Sequence, residues 1–242
     1  MAYFNKKVLI ISPVHSNLIS ELKKHKFKVK YLPNISRKKL AKEITEANLV
    51  VLRSGVQLDK EIISKSNNLK FIIRAGSGLD NIDINEAKKR NIKVFNLPNL
   101  NSQSVAEFSF GLLISASRNI VKANIDLKKN LWNKPKLYGY ELRKKTIGII
   151  GLGAIGSRIA KIAKVFSMNI LANVRNKGKK RPLKVKIVPL NTLLKKSDFI
   201  IFSVPLTNKT KNLLNNKNSK YIRSHSILIN VSRGGVINEQ VL

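Results

Sequence analysis

Residues 146–160 read TIGIIGLGAIGSRIA, and they decide the fold. Thr146–Leu152 is an apolar, β-rich run. It passes into Gly151-x-Gly153-x-x-Gly156, and a segment with helical spacing follows. Gly151 permits the tight turn, Gly153 lets a pyrophosphate approach the backbone, and Gly156 lets helix and strand pack closely. The free N–H groups of the helix start then hold phosphate oxygens. Glycine spacing alone is weak, but strand, turn and helix in that order predict a dinucleotide site. Such a site normally has an acidic residue about 20 positions later, for the adenosine ribose. Here the next strand ends Asn173-Val174-Arg175-Asn176, with no Asp or Glu. Val174 and Arg175 are the cofactor-facing candidates. Arg175 with Lys177 and Lys179 suits a 2′-phosphate, and it equally suits a lysine-rich surface loop. The expected cofactor is therefore NAD or NADP.

Working outward, the βα series continues through Asn169–Val174, Val185–Val188, Asp198–Val204 and Ser226–Ser232. The first hundred residues carry a series of their own: Lys7–Ser12, Phe27–Leu32, Asn48–Arg53, Lys70–Arg74 and Ile92–Asn96. Amphipathic segments such as Ser16–His25 and Ser36–Ala47 lie between them, and Ser36 suits an N-cap. Repeated βα units imply parallel sheets covered on both faces. The expected class is α/β: a flavodoxin-like domain over 1–98 and a Rossmann-like doubly wound domain over 99–242. The Pro- and Asn-rich segment Asn96–Ser104 reads as the linker. Ser104 and Glu107 form a capping box at the head of a helix running to Arg118.

Composition narrows the function classes. The 242 residues carry 47 Lys+Arg against 13 Asp+Glu, a formal charge of +34, with 43% hydrophobic residues and no cysteine. That apolar fraction builds packed cores and excludes wholesale disorder. Absence of cysteine excludes disulfides, thiolate catalysis and Cys-bound zinc, and no metal site is expected. No 18-residue apolar run is present, so a spanning helix is excluded. The N-terminus lacks the pattern of a signal peptide, so a cytoplasmic location is expected. The basic residues divide into 36 Lys and 11 Arg, spread along the chain beside abundant Asn and Ile. These three residue types share A/T-rich codons, so coding bias accounts for the excess. Specific nucleic-acid readers concentrate Arg, whose fork pairs bidentately with phosphate and guanine. Neither a specific nucleic acid nor a membrane is an expected partner.

Five motifs in order give the chain its family resemblance: Arg74–Asp83 (RAGSGLDNID), Asn96–Glu107 (NLPNLNSQSVAE), the glycine turn, Ser203–Leu206 (SVPL) and Asn230–Gly235 (NVSRGG). The chain resembles the D-isomer-specific 2-hydroxyacid dehydrogenases, most closely the phosphoglycerate type. The resemblance implies hydride transfer between a nicotinamide cofactor and a D-2-hydroxyacid, here 3-phosphoglycerate/3-phosphohydroxypyruvate of serine biosynthesis. The alternatives are an NADP(H)-dependent glyoxylate/hydroxypyruvate-type reductase, or a nucleotide-binding module without turnover. It gives Arg233 the catalytic role, and the residue pattern agrees. Arg233 follows the apolar strand SILINVS, so it emerges at a carboxyl strand end, where a guanidinium can pair with a carboxylate and polarise a 2-oxo group. Ala75, Gly76 and Gly78 would offer backbone N–H groups to the substrate carboxylate, because glycine allows close approach. The resemblance also implies that Ser77, Ala154, Ile155, Val204, Val231 and Ser232 match positions near the cofactor.

Arg53 and Arg74 each end an apolar strand, so both are expected to face an interdomain cleft, and the resemblance implies that they contact the anionic substrate. The competing reading pairs one or both with local acids such as Asp59 or Asp80. The resemblance also implies a homodimer through the Ser104–Arg118 region. It places a catalytic Glu and His after the Arg-Gly-Gly segment, where only Val236–Leu242 remain. His15, His25 and His225 match no catalytic position. Five strands rather than six follow Thr146, which suggests a chain cut short, its first domain without the family's return segment.

Overall fold

The computed structural model describes residues 6–176 and 185–242. They form two compact units, Met1–Leu100 and Asn101–Leu242, a division two residues beyond the expected boundary.

The first unit alternates β1 (Lys7–Ile10), α1 (Ser16–Lys24), β2 (Lys28–Tyr31), α2 (Arg37–Glu43), β3 (Leu49–Leu52), α3 (Lys60–Ser64), β4 (Phe71–Arg74), α4 (Ile84–Lys89) and β5 (Lys93–Asn96). Its sheet is wholly parallel, in the flavodoxin-like order β2-β1-β3-β4-β5. Side chains alternate across it. Leu9, Ile11, Val50, Leu52 and Ile72 pack on one face, and Val8, Ile10 and Val51 on the other. Ser36 caps α2 as the sequence predicts, accepting from Lys39 N. Asp59 and Asp83 do the same for α3 and α4.

The second unit begins with α5 (Ser102–Ser117) and α6 (Ile120–Lys128). β6 (Thr146–Ile150), α7 (Ala154–Val165), β7 (Asn169–Asn173), β8 (Lys186–Ile187), α8 (Leu190–Lys196), β9 (Phe199–Phe202), α9 (Asn216–Ser219) and β10 (Ile227–Asn230) follow. The parallel order is β10-β9-β6-β7-β8. Numbered within the unit this is 3-2-1-4-5, the first five places of the doubly wound six-strand order. A sixth strand is absent among the described residues. The Asn-rich composition also serves locally. Asn91, Asn119 and Asn130 sit at φ of 55°, 54° and 57° just after the C-caps of α4, α5 and α6, a region Asn tolerates better than most residues.

The capping box does not form. α5 starts at Ser102 with Asn101 as N-cap, so Ser104 lies inside the first turn, and Glu107 accepts from the Gln103 side chain at 2.8 Å. The buried stripe Ser102, Ala106, Ser109, Phe110 and Leu113 sets the start of this helix, because packing those residues needs the extra turn. No helix among the described residues is long and apolar enough to cross a membrane.

Candidate functional site

In the second unit, strand order reverses between β6 and β9, and ligands of such sheets bind where the carboxyl ends part at that point. Four carboxyl-end segments meet there. Gly151 follows β6, its N–H donates to the Asn173 carbonyl at 2.9 Å, and Asn173 closes β7. Ser203, after β9, donates its hydroxyl to the Gly151 carbonyl at 2.7 Å. Val204 N–H donates to Ser232 Oγ at 3.0 Å, and Val231 N–H to the Phe202 carbonyl at 3.2 Å. The glycine turn, Val204, Val231 and Ser232 are thus laced into one rim. Ser203 is the member that the sequence reading passed over. Its signal was its place in SVPL at the carboxyl end of the strand beside the glycine turn.

The three glycines divide their work as their spacing predicts. Gly151 has φ +92°, and an added Cβ would lie 2.7 Å from Val204 Cγ1 and 2.8 Å from the Ser203 carbonyl oxygen. A Cβ on Gly156 would collide with the Gly151 carbonyl oxygen and stand 3.0 Å from Ser203 Oγ. Gly153 differs: nothing lies within 4 Å of a Cβ placed there. It is the N-cap of α7, and no side chain caps the helix. Open space therefore faces the orphan N–H groups and positive dipole end of a twelve-residue helix. These features fit a dinucleotide pyrophosphate, with Gly153, Ala154 and Ile155 as its cradle. Gly153→Ala should accordingly leave the melting temperature within about 2 °C, since a Cβ there meets nothing within 4 Å, while weakening NADPH binding roughly tenfold or more by intruding on the cradle. Differential scanning fluorimetry and a fluorescence titration read the two effects. A large fall in melting temperature, or unchanged affinity, would contradict this account.

Val174 and the exposed Arg175 follow the end of β7. Lys177 and Lys179 lie outside the described residues. Arg233 stands three residues beyond β10 and is half-buried; its Nη1 donates to the Ser232 carbonyl at 2.9 Å, and its carbonyl accepts from Asn230 Nδ2 at 3.0 Å.

In the first unit the two strand-end arginines part company. Arg53 is exposed and belongs to no ion pair among the described residues. Its backbone N–H donates to Ser12 Oγ at 2.9 Å, across the point between β1 and β3 where this sheet's order reverses. Arg74, expected to be open as well, is only 6% exposed, and an added Cβ on Gly76 would overlap its guanidinium. The cause is register: Arg74 pairs with Leu52 and shares its buried face, whereas Arg53 lies one residue further on and points the opposite way. Asp59 pairs with neither. Arg37 Nη1 holds it at 2.8 Å and lowers its pKa chiefly through that hydrogen bond.

A second correction concerns the loop after β4. Ala75 N–H is taken by the Leu52 carbonyl and Gly76 N–H by the Arg74 carbonyl, both at 2.8 Å. Neither is left for a carboxylate, so of the three expected N–H groups only that of Gly78, in the Ser77–Gly78 segment, remains. That segment is tied to the end of β5, with Asn96 Nδ2 donating to the Ser77 carbonyl at 2.6 Å and Ser77 Oγ to the Leu97 carbonyl at 3.3 Å.

The histidines serve locally. His15 Nδ1 caps α1 by accepting from Asn17 N at 3.2 Å, His25 is its C-cap, and His225 Nε2 lies 3.6 Å from Asp198. Among the described residues no cluster of three or more His, Asp or Glu is placed to hold a metal.

Comparison with known proteins bears on the same residues. The family model for the D-isomer specific 2-hydroxyacid dehydrogenase, NAD binding domain, matches residues 110–242. A hydroxypyruvate reductase of Thermotoga maritima is 42% identical over 209 residues, covering 86% of this chain and 68% of that protein. A D-3-phosphoglycerate dehydrogenase of Methanocaldococcus jannaschii is 37% identical over 239 residues, covering 98% of this chain and 45% of that one. An acyclic imino acid reductase solved with NADPH and D-Arg superposes with a TM-score of 0.85 at 31% identity, covering 97% of this chain and 76% of its own. The chain thus spans under half the length of the phosphoglycerate dehydrogenase relative and about two thirds of the reductase.

Proposed function

The chain belongs to the D-isomer specific 2-hydroxyacid dehydrogenases, and from that premise we propose hydride transfer between a nicotinamide dinucleotide and a D-2-hydroxyacid with a second anionic group, 3-phosphoglycerate. The observation that carries this reading is the rim after β6, β9 and β10, which has a glycine turn with open space at Gly153 after β6 and Arg233 after β10. The cofactor supplies or takes the hydride. Residues 151–156 and Val174 hold its phosphates and ribose, and Val204, Val231 and Ser232 line it. Arg233 pairs with the substrate carboxylate and polarises the 2-oxo oxygen. Arg53 takes the second anion. Residues 1–98 act as the substrate domain, and Arg74 shapes the loop that carries Ser77 and Gly78. The test is kcat/KM for phosphohydroxypyruvate against hydroxypyruvate and glyoxylate; preference for glyoxylate would overturn the choice of substrate. The burial of Arg74 supports a second reading, a hydroxypyruvate- or glyoxylate-type reductase, because it removes one of two cations assigned to a phosphate-bearing substrate.

NADP(H) is the proposed cofactor. Val174 and Arg175 put no carboxylate where the ribose diol would be read, and the exposed guanidinium suits a 2′-phosphate. Arg175→Asp should weaken NADPH roughly 10- to 100-fold and improve NADH, as removal of a charge-assisted contact and its replacement by a diol acceptor require. Titration with both reduced cofactors checks this; tighter NADH binding by the unaltered chain would refute it. A homodimer is proposed through α5 and α6. Phe108, Leu112, Val121 and Ile125 are exposed there, and Leu112, Val121 and Ile125 border a groove of about 450 Å³. Light scattering on the purified chain tests it.

A further inference from the structure

We propose that Asn81 and Ser12 are positioning residues that fix Arg53 for the substrate anion; this rests on the reading of Arg53 just given. Arg53 is the residue at which the chain leaves β3, where a backbone ordinarily loses its ladder partners. Here both of its backbone groups are held by buried side chains. Ser12 Oγ accepts from Arg53 N at 2.9 Å, and Asn81 Nδ2 donates to the Arg53 carbonyl at 2.8 Å. The same Nδ2 donates to the Val56 carbonyl at 2.6 Å, so one amide group closes the turn from Arg53 to Val56. Asn81 is itself anchored, its carbonyl accepting from Leu58 N at 2.8 Å. The two holders are 2% and 3% exposed, while the guanidinium they serve is open.

The Asn81 side chain makes these two bonds at a cost. Its Oδ1 is buried and has no hydrogen-bond partner among the described residues, an arrangement that disfavours the folded state. Turning the amide over would face that oxygen with two carbonyl oxygens, so its orientation is set by the two bonds from Nδ2. Ser12 and Arg53 also flank the point between β1 and β3 where the order β2-β1-β3-β4-β5 reverses, the place where open α/β sheets bind ligands. An exposed cation with a clamped backbone at that point loses less freedom on meeting an anion than a loose one.

The test is a set of double-mutant cycles. The proteins are the unaltered chain, Arg53→Ala, Asn81→Ala, Ser12→Ala and the two doubles with Arg53→Ala. Calorimetry gives their affinity for 3-phosphoglycerate, with NADPH affinity and melting temperature measured alongside. Arg53→Ala should weaken 3-phosphoglycerate roughly 30-fold, and Asn81→Ala and Ser12→Ala each about 5-fold, with NADPH affinity unchanged. Adding either to Arg53→Ala should weaken binding no further, which a merely structural role would not produce. Unchanged affinity in the two single variants, or equal weakening with and without Arg53, overturns the proposal. If the unaltered chain does not bind 3-phosphoglycerate, or Arg53→Ala binds it equally well, the anion-binding reading itself fails, a result separate from the cycles. Should Asn81→Ala not fold, Ser12→Ala decides by the same criterion.

Discussion

Gly156→Ala should lower the melting temperature by roughly 4–10 °C and weaken NADPH binding at least about tenfold, the larger of the expected effects on the fold. The added methyl meets the carbonyl oxygen of Gly151. A flexible side chain could turn aside, but this is backbone, and it is held from three directions. Ser203 Oγ donates to the same oxygen at 2.7 Å, Gly151 N–H is bonded to the Asn173 carbonyl, and Gly151 has φ +92°. α7 must therefore move instead. Ile159, Ala160 and Ala163 on that helix are wholly buried, so any slide opens gaps or overlaps in the core under it. Overpacking of this kind costs about 1–3 kcal/mol. The displaced helix also carries its N-terminal N–H groups away from the pyrophosphate position, so stability and affinity fall together. Scanning fluorimetry and cofactor titration on the purified variant check both. Unchanged values would mean that α7 has slack the packing does not suggest. Gly153→Ala isolates the cofactor effect, because its Cβ meets nothing within 4 Å.

Arg233→Ala should reduce kcat for 2-oxoacid reduction by about 10²–10³-fold, since a fixed cation is lost where negative charge develops on the substrate oxygen. NADPH affinity should change far less, because the bond that fixes Val204 comes from Ser232 Oγ and not from Arg233. Arg233→Lys should recover little, because an ammonium cannot bond a carboxylate and a neighbouring oxygen through one planar fork. Steady-state kinetics with phosphohydroxypyruvate and NADPH provide the measurement. A loss confined to KM would assign Arg233 to uniform substrate binding rather than to the chemical step.

The strands that carry the site were legible because apolar runs and glycines act locally. Each of the ten runs read as strands contains a strand. Gly151 and Gly156 stand where only a missing Cβ allows the turn and the helix contact. Ser36, with its side chain three residues from the N–H it caps, was likewise readable at short range. Ser104 was misread because the start of α5 is set by the surface the helix buries, not by the best local cap. Asn81 lies within the Arg74–Asp83 motif, but its role was not legible there, since its two bonds reach 28 and 25 residues back along the chain.

The sequence by itself determined two parallel α/β units, the dinucleotide turn at Gly151–Gly156 and the place of Arg233 beyond a strand end, because each follows from residues within a few positions of one another. Tertiary structure alone decided which groups remain open to a ligand. Arg53 and Arg74 look alike in sequence, each closing an apolar strand, yet one is exposed and the other buried. Ala75 and Gly76 look equally available, yet their N–H groups are already bonded. The fates of the two arginines and the Ala75 bond depend on the register of β3 against β4, where Leu52 lies opposite Arg74, while the Gly76 bond closes within its own loop. With side chains alternating every residue, a one-residue offset between neighbouring strands sends one guanidinium to solvent and folds the other onto Gly76.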